Sequence, residues 1–180
     1  MEITMLTPAS AADGELVATL TAMINVAYAD GERGLWRDGA ARTSDAEIVG
    51  LIEDGQVAVA RLGGKTVGFV RLQQPAPDVA ELGMLVAGAD VKGTGVGREL
   101  VRFAEDWARG RGVPTMQLEL LVPLEGTHPF KEFLRGWYTR LGFRPVGSGD
   151  VADVHPELAP LLAVPCQFLL FRKDLAVTTG

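Results

Sequence analysis

Apolar residues recur along this chain in two rhythms. The first has the three-and-four spacing of a helix buried on one side. It runs through Leu16, Leu20, Met23, Ile24 and Tyr28, and again through Val96, Leu100, Phe103, Ala104 and Trp107. A third such run is Phe130, Phe133, Leu134, Trp137 and Leu141, with Gly142 as its stop. A shorter helix is announced by its ends: Ser44 followed three residues later by Glu47 is a capping box, and Gly55 is a stop. The second rhythm is that of strands. Residues 2–7, 56–62, 65–73, 80–87, 115–122, 143–147 and 166–175 are short β-like runs. Gly63-Gly64 predicts a hairpin between the second and third. "QPAPD" (74–78) predicts a break, residues 31–44 a long loop or broken helix, and residues 155–163 a loop or short helix.

The order is strand, two helices, three strands, helix, strand, helix, strands. That is an α+β plan with a mostly antiparallel sheet. Strand 80–87, the helix after it and strand 115–122 form one crossover, which makes that pair parallel. No repeat, low-complexity tract or long linker divides the 180 residues, so a single domain is expected over 1–180.

Composition narrows the function. A content of 47% hydrophobic and 22% charged residues is that of a globular chain. The formal charge of −6 argues against a nucleic-acid partner, which needs a basic footprint. No apolar run is long enough to span a membrane, and no secretory signal is visible at the N-terminus. Cys166 is the only cysteine and His128 and His155 the only histidines, so no metal site is expected. The single thiol fits a reducing compartment, and a cytoplasmic location is expected.

The densest chemistry lies in "DVKGTGVGREL" (90–100), which places Gly93, Gly95 and Gly97 immediately before a helix. A helix N-terminus presents unpaired N–H groups and a positive dipole end, and so attracts phosphate. Glycine lets the backbone come close to the anion, and Lys92 and Arg98 add positive charge. The bland alternative is a tight strand-to-helix turn. A Walker loop is excluded by the lack of "GK[ST]", and the G-x-G-x-G spacing is not that of a dinucleotide fingerprint.

"KGTGVG" resembles the R/Q-x-x-G-x-G/A loop of the GNAT superfamily of acyl-CoA-dependent N-acetyltransferases, with Lys92, Gly95 and Gly97 in register. "WYTRLGFRPV" resembles that family's Y-x-x-x-G-F signature through Tyr138, Gly142 and Phe143. The separation of the two motifs and the order of elements also match over nearly the whole chain. Two positions depart from the pattern: "AGA" (87–89) replaces V-x-P, and Lys131 replaces an asparagine.

The resemblance implies a three-layer α/β/α fold with a central mixed sheet splayed between strands 4 and 5. It implies an acceptor side of about 1–75, an acetyl-CoA side of about 80–148 and a C-terminal strand of about 166–175. Acetyl-CoA is the implied donor, with pantetheine along Leu85, Val86 and Ala87 and pyrophosphate on Lys92, Gly93, Thr94, Gly95, Val96, Gly97 and Arg98. Lys131 is a candidate for a CoA phosphate. Tyr138 is the candidate acid for the leaving thiolate; Glu81 and Glu119 are candidate bases. Tyr28, Glu32, Trp36 and Arg42 are expected at the acceptor pocket, where acidic groups would favour a cationic amine and Arg42 a carboxylate. The acceptor is a small-molecule or peptide amine, and a homodimer is a family-level expectation. The rival readings are an acyl-CoA sensor of the same fold and a structural or partner-binding domain.

Overall fold

Seven strands form one sheet in the computed structural model, which describes residues 1–176. The strands are β1 (Glu2–Met5), β2 (Val57–Leu62), β3 (Lys65–Ala76), β4 (Val79–Ala87), β5 (Thr115–Pro123), β6 (Arg144–Asp150) and β7 (Cys166–Asp174). Their order across the sheet is β1-β2-β3-β4-β5-β7-β6. Among the described residues only β4 and β5 pair in parallel, as their crossover requires. Positions 177–180, the end of the expected 1–180 domain, lie outside the described residues.

Strand alternation sends residues to two faces. On one face Val57, Val59, Phe69, Met84 and Val86 pack against α1 (Gly14–Gly31) and α2 (Asp45–Glu53). On the other, Ala58, Val70, Leu82, Met116, Leu118 and their neighbours pack against α3 (Val96–Arg109) and against Tyr138 of α4 (Pro129–Arg140). The result is the expected three-layer α/β/α arrangement. Asp13 caps α1 by accepting from the Leu16 N–H, and Ser44 caps α2 by accepting from that of Glu47. Gly68 lets α3 lie directly on the sheet: a Cβ there would meet Val96 Cγ1 at 2.8 Å and Leu100 Cδ1 at 2.9 Å.

Several boundaries differ from expectation. β3 runs through Pro75 to Ala76, and only Pro77 and Asp78 make the turn. The register slips between Gln73 and Ala76, so Pro75 sits in a bulge, where its missing N–H costs no ladder bond. A four-residue α5 (Val151–Val154) precedes residues 155–163, where a 3-10 turn forms at Ala159–Leu161. β7 inserts between β5 and β6, so the last strand of the chain is internal and β6 takes the exposed edge.

A third, smaller cluster holds Leu35, Leu121, Val151, Leu158 and Cys166, with Trp36 and Phe168 against it. It joins the 31–44 loop to the 155–165 segment. Arg37 N–H donates to the Leu161 carbonyl and Ala163 N–H to that of Leu35, each within 2.9 Å. These two irregular segments cover the β5–β7 end of the sheet on the α1/α2 side.

Candidate active site

β4 and β5 are hydrogen-bonded for only three rungs, ending at Glu81↔Gln117, yet each runs on for six residues. β4 stays with β3 as far as Gly68↔Ala87, and β5 stays with β7 as far as Pro123↔Cys166. The sheet therefore opens between them. A register slip on β4 falls where the gap begins, and Met84 there holds a φ of 50°. Such a φ is costly for a side chain of this size and is found where surrounding packing holds it. Met84 is buried in the α1/α2-side core, which supplies that packing. Past this bulge, the β5-facing backbone groups of β4 have no strand partner.

The gap opens into a cleft of about 1240 Å³. One wall is the loop before α3. Gly93 and Gly95 hold φ values of 81° and 94°, and Gly95 caps α3 with no side-chain hydrogen bond. A Cβ at either would meet nothing within 4 Å, so the concave surface is bare backbone. Thr94 Oγ1 donates to the Val91 carbonyl at 2.7 Å and pins the turn. Lys92 and Arg98 are exposed beside it, whereas the Val96 side chain is buried in the core. Gly97 is in the first turn of the helix, and its α-carbon faces the Trp137 ring.

Tyr138 of α4 reaches the cleft from the α3/α4 side. Its ring packs edge-on against Trp137 at 4.9 Å and Phe143 at 5.8 Å. The residue is 6% exposed and its hydroxyl has no hydrogen-bond partner among the described residues. Burial pushes the phenol well above its ordinary range, and nearby Tyr28 adds to the rise. The proton therefore stays on the oxygen at neutral pH.

The opposite wall is rich in charge, and nearly all of it is paired. Glu81 accepts from Gln73 at 2.6 Å, Gln117 at 2.7 Å and Arg71 at 3.2 Å. Glu32 at the end of α1 accepts from the Lys131 ammonium and the Trp36 indole N–H. Glu119 on β5 lies 2.6 Å from His155 Nε2, and His155 Nδ1 is 3.4 Å from Glu157. Arg42 stands 5.1 Å from the centre of the Tyr28 ring. Burial pushes the Tyr28 phenol up, and Arg42 pulls against that rise without reversing it.

A family model described as the acetyltransferase (GNAT) family matches residues 21–143. The chain belongs to that family. No curated protein matches it. Solved structures show the same fold at low identity. Ribosomal-protein-alanine N-acetyltransferase from Brucella melitensis is 18% identical over 97% of this chain and 100% of its own, with a TM-score of 0.69. PaiA N-acetyltransferase from Thermoplasma acidophilum, solved with coenzyme A, is 16% identical over 96% of this chain and 98% of its own, at 0.69. Aminoglycoside 6′-N-acetyltransferase from Enterococcus faecium is 17% identical over 97% of both chains, at 0.67.

The GNAT fold gathers the sequence-expected residues around one cleft. Tyr28, Glu32, Trp36, Arg42, Glu81, Leu85, Val86, Ala87, Glu119, Lys131, Tyr138 and the 92–98 loop all line it. Two stand differently from expectation. Lys131 is 2% exposed and its ammonium is engaged by Glu32, because α4 crosses the end of α1 at that point. Glu81 is 7% exposed and locked to three donors at the last β4–β5 rung. Four residues were not legible beforehand. Arg71 and His155 meet their carboxylates across 10 and 36 residues. Asn25 is a polar residue inside a helix, and the backbone of Met84 shows no sign in its side chain. No local pattern marks any of them.

Proposed function

We propose that this GNAT protein transfers an acetyl group from acetyl-CoA to a primary amine by direct attack in a ternary complex. The observation that carries this reading is the junction of three features: the open β4–β5 gap, the bare glycine loop at the start of α3, and Tyr138 with a free hydroxyl between them. The loop fits a pyrophosphate. The N–H groups of the first turn of α3 precede any intrahelical partner, the loop backbone before them carries no side chain at Gly93 and Gly95, and Lys92 and Arg98 flank them. The unpaired β4 edge from Leu85 to Ala87 fits an amide-bearing arm that hydrogen-bonds as a strand would. Coenzyme A is present in the structure of the Thermoplasma relative, which supports the same donor here.

When bound, the donor supplies an activated acyl thioester. The chain's own residues then hold and move protons. The amine lone pair forms a C–N bond to the carbonyl carbon and the C–S bond breaks. Backbone N–H groups freed at the Met84 bulge suit an oxyanion. Tyr138 gives its proton to the departing sulfur. Burial makes the phenol a weaker acid, but a thiolate leaving beside it is desolvated and made more basic in the same way, so transfer keeps pace with C–S cleavage. Glu81 already accepts from Arg71, Gln73 and Gln117 at the closed end of the gap, so the amine proton passes to the Glu119–His155 pair or to water. Cys166 is buried, burial pushes its thiol up, and its Sγ donates to the Val164 carbonyl. That supports direct attack over an acyl-cysteine route.

Acetyl-CoA with a panel of amines tests the reading. Thiol release with at least one amine is expected. CoA alone is expected to raise the unfolding free energy by about 2.7 kcal/mol at 100 times its dissociation constant. Binding without release on any amine would make the protein a sensor. Absence of a thermal shift at millimolar CoA would sink the donor site altogether.

Gly95→Val tests the loop. The substituted residue must hold a left-handed φ, which costs about 1–2 kcal/mol for an L-residue, or swing the N–H groups away. CoA affinity should fall by roughly tenfold or more while the fold survives. A folded variant with unchanged affinity would reduce the loop to a turn.

A further inference from the structure

Charge accounting across the acceptor wall singles out one side chain. Glu32 is neutralised by Lys131, Glu81 by Arg71 and Asp30 by Arg33; Glu119 and Glu157 face His155, and the exposed Glu47 accepts from Thr43 at the start of α2. Arg42 lines the same cleft and has no carboxylate partner among the described residues. Lys92 and Arg98 also line it without a carboxylate partner among the described residues, but they stand at the glycine loop on the other wall, where a pyrophosphate accounts for them. An unpaired guanidinium in a half-buried position is costly unless something anionic meets it.

Arg42 is also firmly mounted. Asn25, inside α1, reaches across to the 41–43 backbone with its whole amide. Its Oδ1 accepts from the N–H groups of Arg42 at 2.8 Å and Thr43 at 3.0 Å, and its Nδ2 donates to the Thr43 carbonyl at 3.0 Å. Thr43 Oγ1 donates to Glu47 at 2.8 Å, and the Ser44 cap starts α2 directly afterwards. The loop is irregular elsewhere, yet at Arg42 it is held by a side chain 17 residues away. The guanidinium lies 5.1 Å from the Tyr28 ring, which restricts it further and sets a phenol hydroxyl in the same neighbourhood.

We propose that Arg42, with Tyr28 beside it, binds a carboxylate carried by the amine acceptor, so that the preferred substrates are amino acids or other amines bearing a carboxylate. This rests on the acetyltransferase reading above. A guanidinium fork matches a carboxylate in a bidentate geometry. On the acceptor wall Arg42 balances one negative charge, which favours a carboxylate over a phosphate dianion. The Tyr28 phenol remains protonated, because burial pushes it up, and so it can donate to the same carboxylate. The acceptor's ammonium end then faces Glu119 and His155, where it loses a proton before attack.

The test compares acids with their own amides. The panel holds the common α-amino acids and ω-amino acids of increasing chain length, each beside its primary amide, and an aminoalkyl phosphate as a further arm. Thiol release gives kcat/KM for each. Calorimetry with the protein saturated with CoA gives acceptor affinity without turnover. The best acid should exceed its amide by ~10–100-fold, the worth of a hydrogen bond to a charged group. Arg42→Gln should bring that ratio close to one, with the acid losing far more than the amide. Arg42→Lys should fall between, and Asn25→Ala should lower the ratio by loosening the mount. Amides as good as acids in the wild type would overturn the proposal, and so would Arg42→Gln lowering both alike. A preference for the aminoalkyl phosphate would overturn the choice of carboxylate. If no amine releases thiol, the transferase reading fails. The calorimetric ratio still decides whether Arg42 recognises the carboxylate.

Discussion

Tyr138→Phe is expected to lower turnover by ~10²–10⁴-fold, the usual worth of a positioned acid. The substitution keeps the ring and its contacts with Trp137 and Phe143, so the fold and CoA affinity should barely change. The effect is confined to one proton because the hydroxyl holds no structural partner among the described residues. A donor with a more acidic thiol needs less help on leaving and should suffer less. Steady-state thiol release with both donors and saturating amine is the measurement. Equal rates for the two proteins would place the acid elsewhere or in water. A uniform loss with weaker CoA binding would instead mean that the hydroxyl positions the donor.

The second large effect concerns stability. Lys131→Met should cost about 3–5 kcal/mol, because it leaves the Glu32 charge buried with only the Trp36 N–H to meet it. For a chain of this size that lowers Tm by roughly 6–20 °C. The side chains of the pair are 3% and 6% exposed, so solvent screens little of the loss. The double variant Lys131→Met/Glu32→Gln should recover most of it, since the uncompensated charge is gone. Thermal and denaturant unfolding of the two singles and the double form the cycle. If the single costs no more than about 0.5 kcal/mol, the range of an ordinary surface substitution, water from the cleft solvates Glu32 and the pair is not truly buried.

Lys131 and Tyr138 lie two turns apart on α4 and line the same cleft, yet their neighbours give them opposite tasks. The tyrosine keeps a free polar end, and the lysine spends its charge on holding α4 to the end of α1. A family register that supplies an asparagine at position 131 could not foretell this. The lysine needs a carboxylate in reach, and that carboxylate stands 99 residues away.

What the sequence by itself determined is whatever depends on near neighbours. Helices α1 to α4 were legible from apolar spacing and from caps such as Ser44 with Glu47, because an amphipathic period and an N-cap are satisfied within a few residues. The glycine loop was legible because Gly93 and Gly95 serve backbone angles that other residues resist. The parallel β4–β5 pair followed from the crossover between them. Tertiary structure alone decided the rest. Strand order β5-β7-β6 depends on which edges remain open once the sheet has closed up, and a strand's own pattern cannot state that. The bulge at Met84 is imposed by packing rather than by its side chain. The partners of Glu32, Glu81, Glu119 and the 41–43 backbone come from remote parts of the chain. A charge on the cleft wall is silent in sequence until the fold reveals whether an opposite charge meets it: Glu32 has one, and among the described residues Arg42 has none.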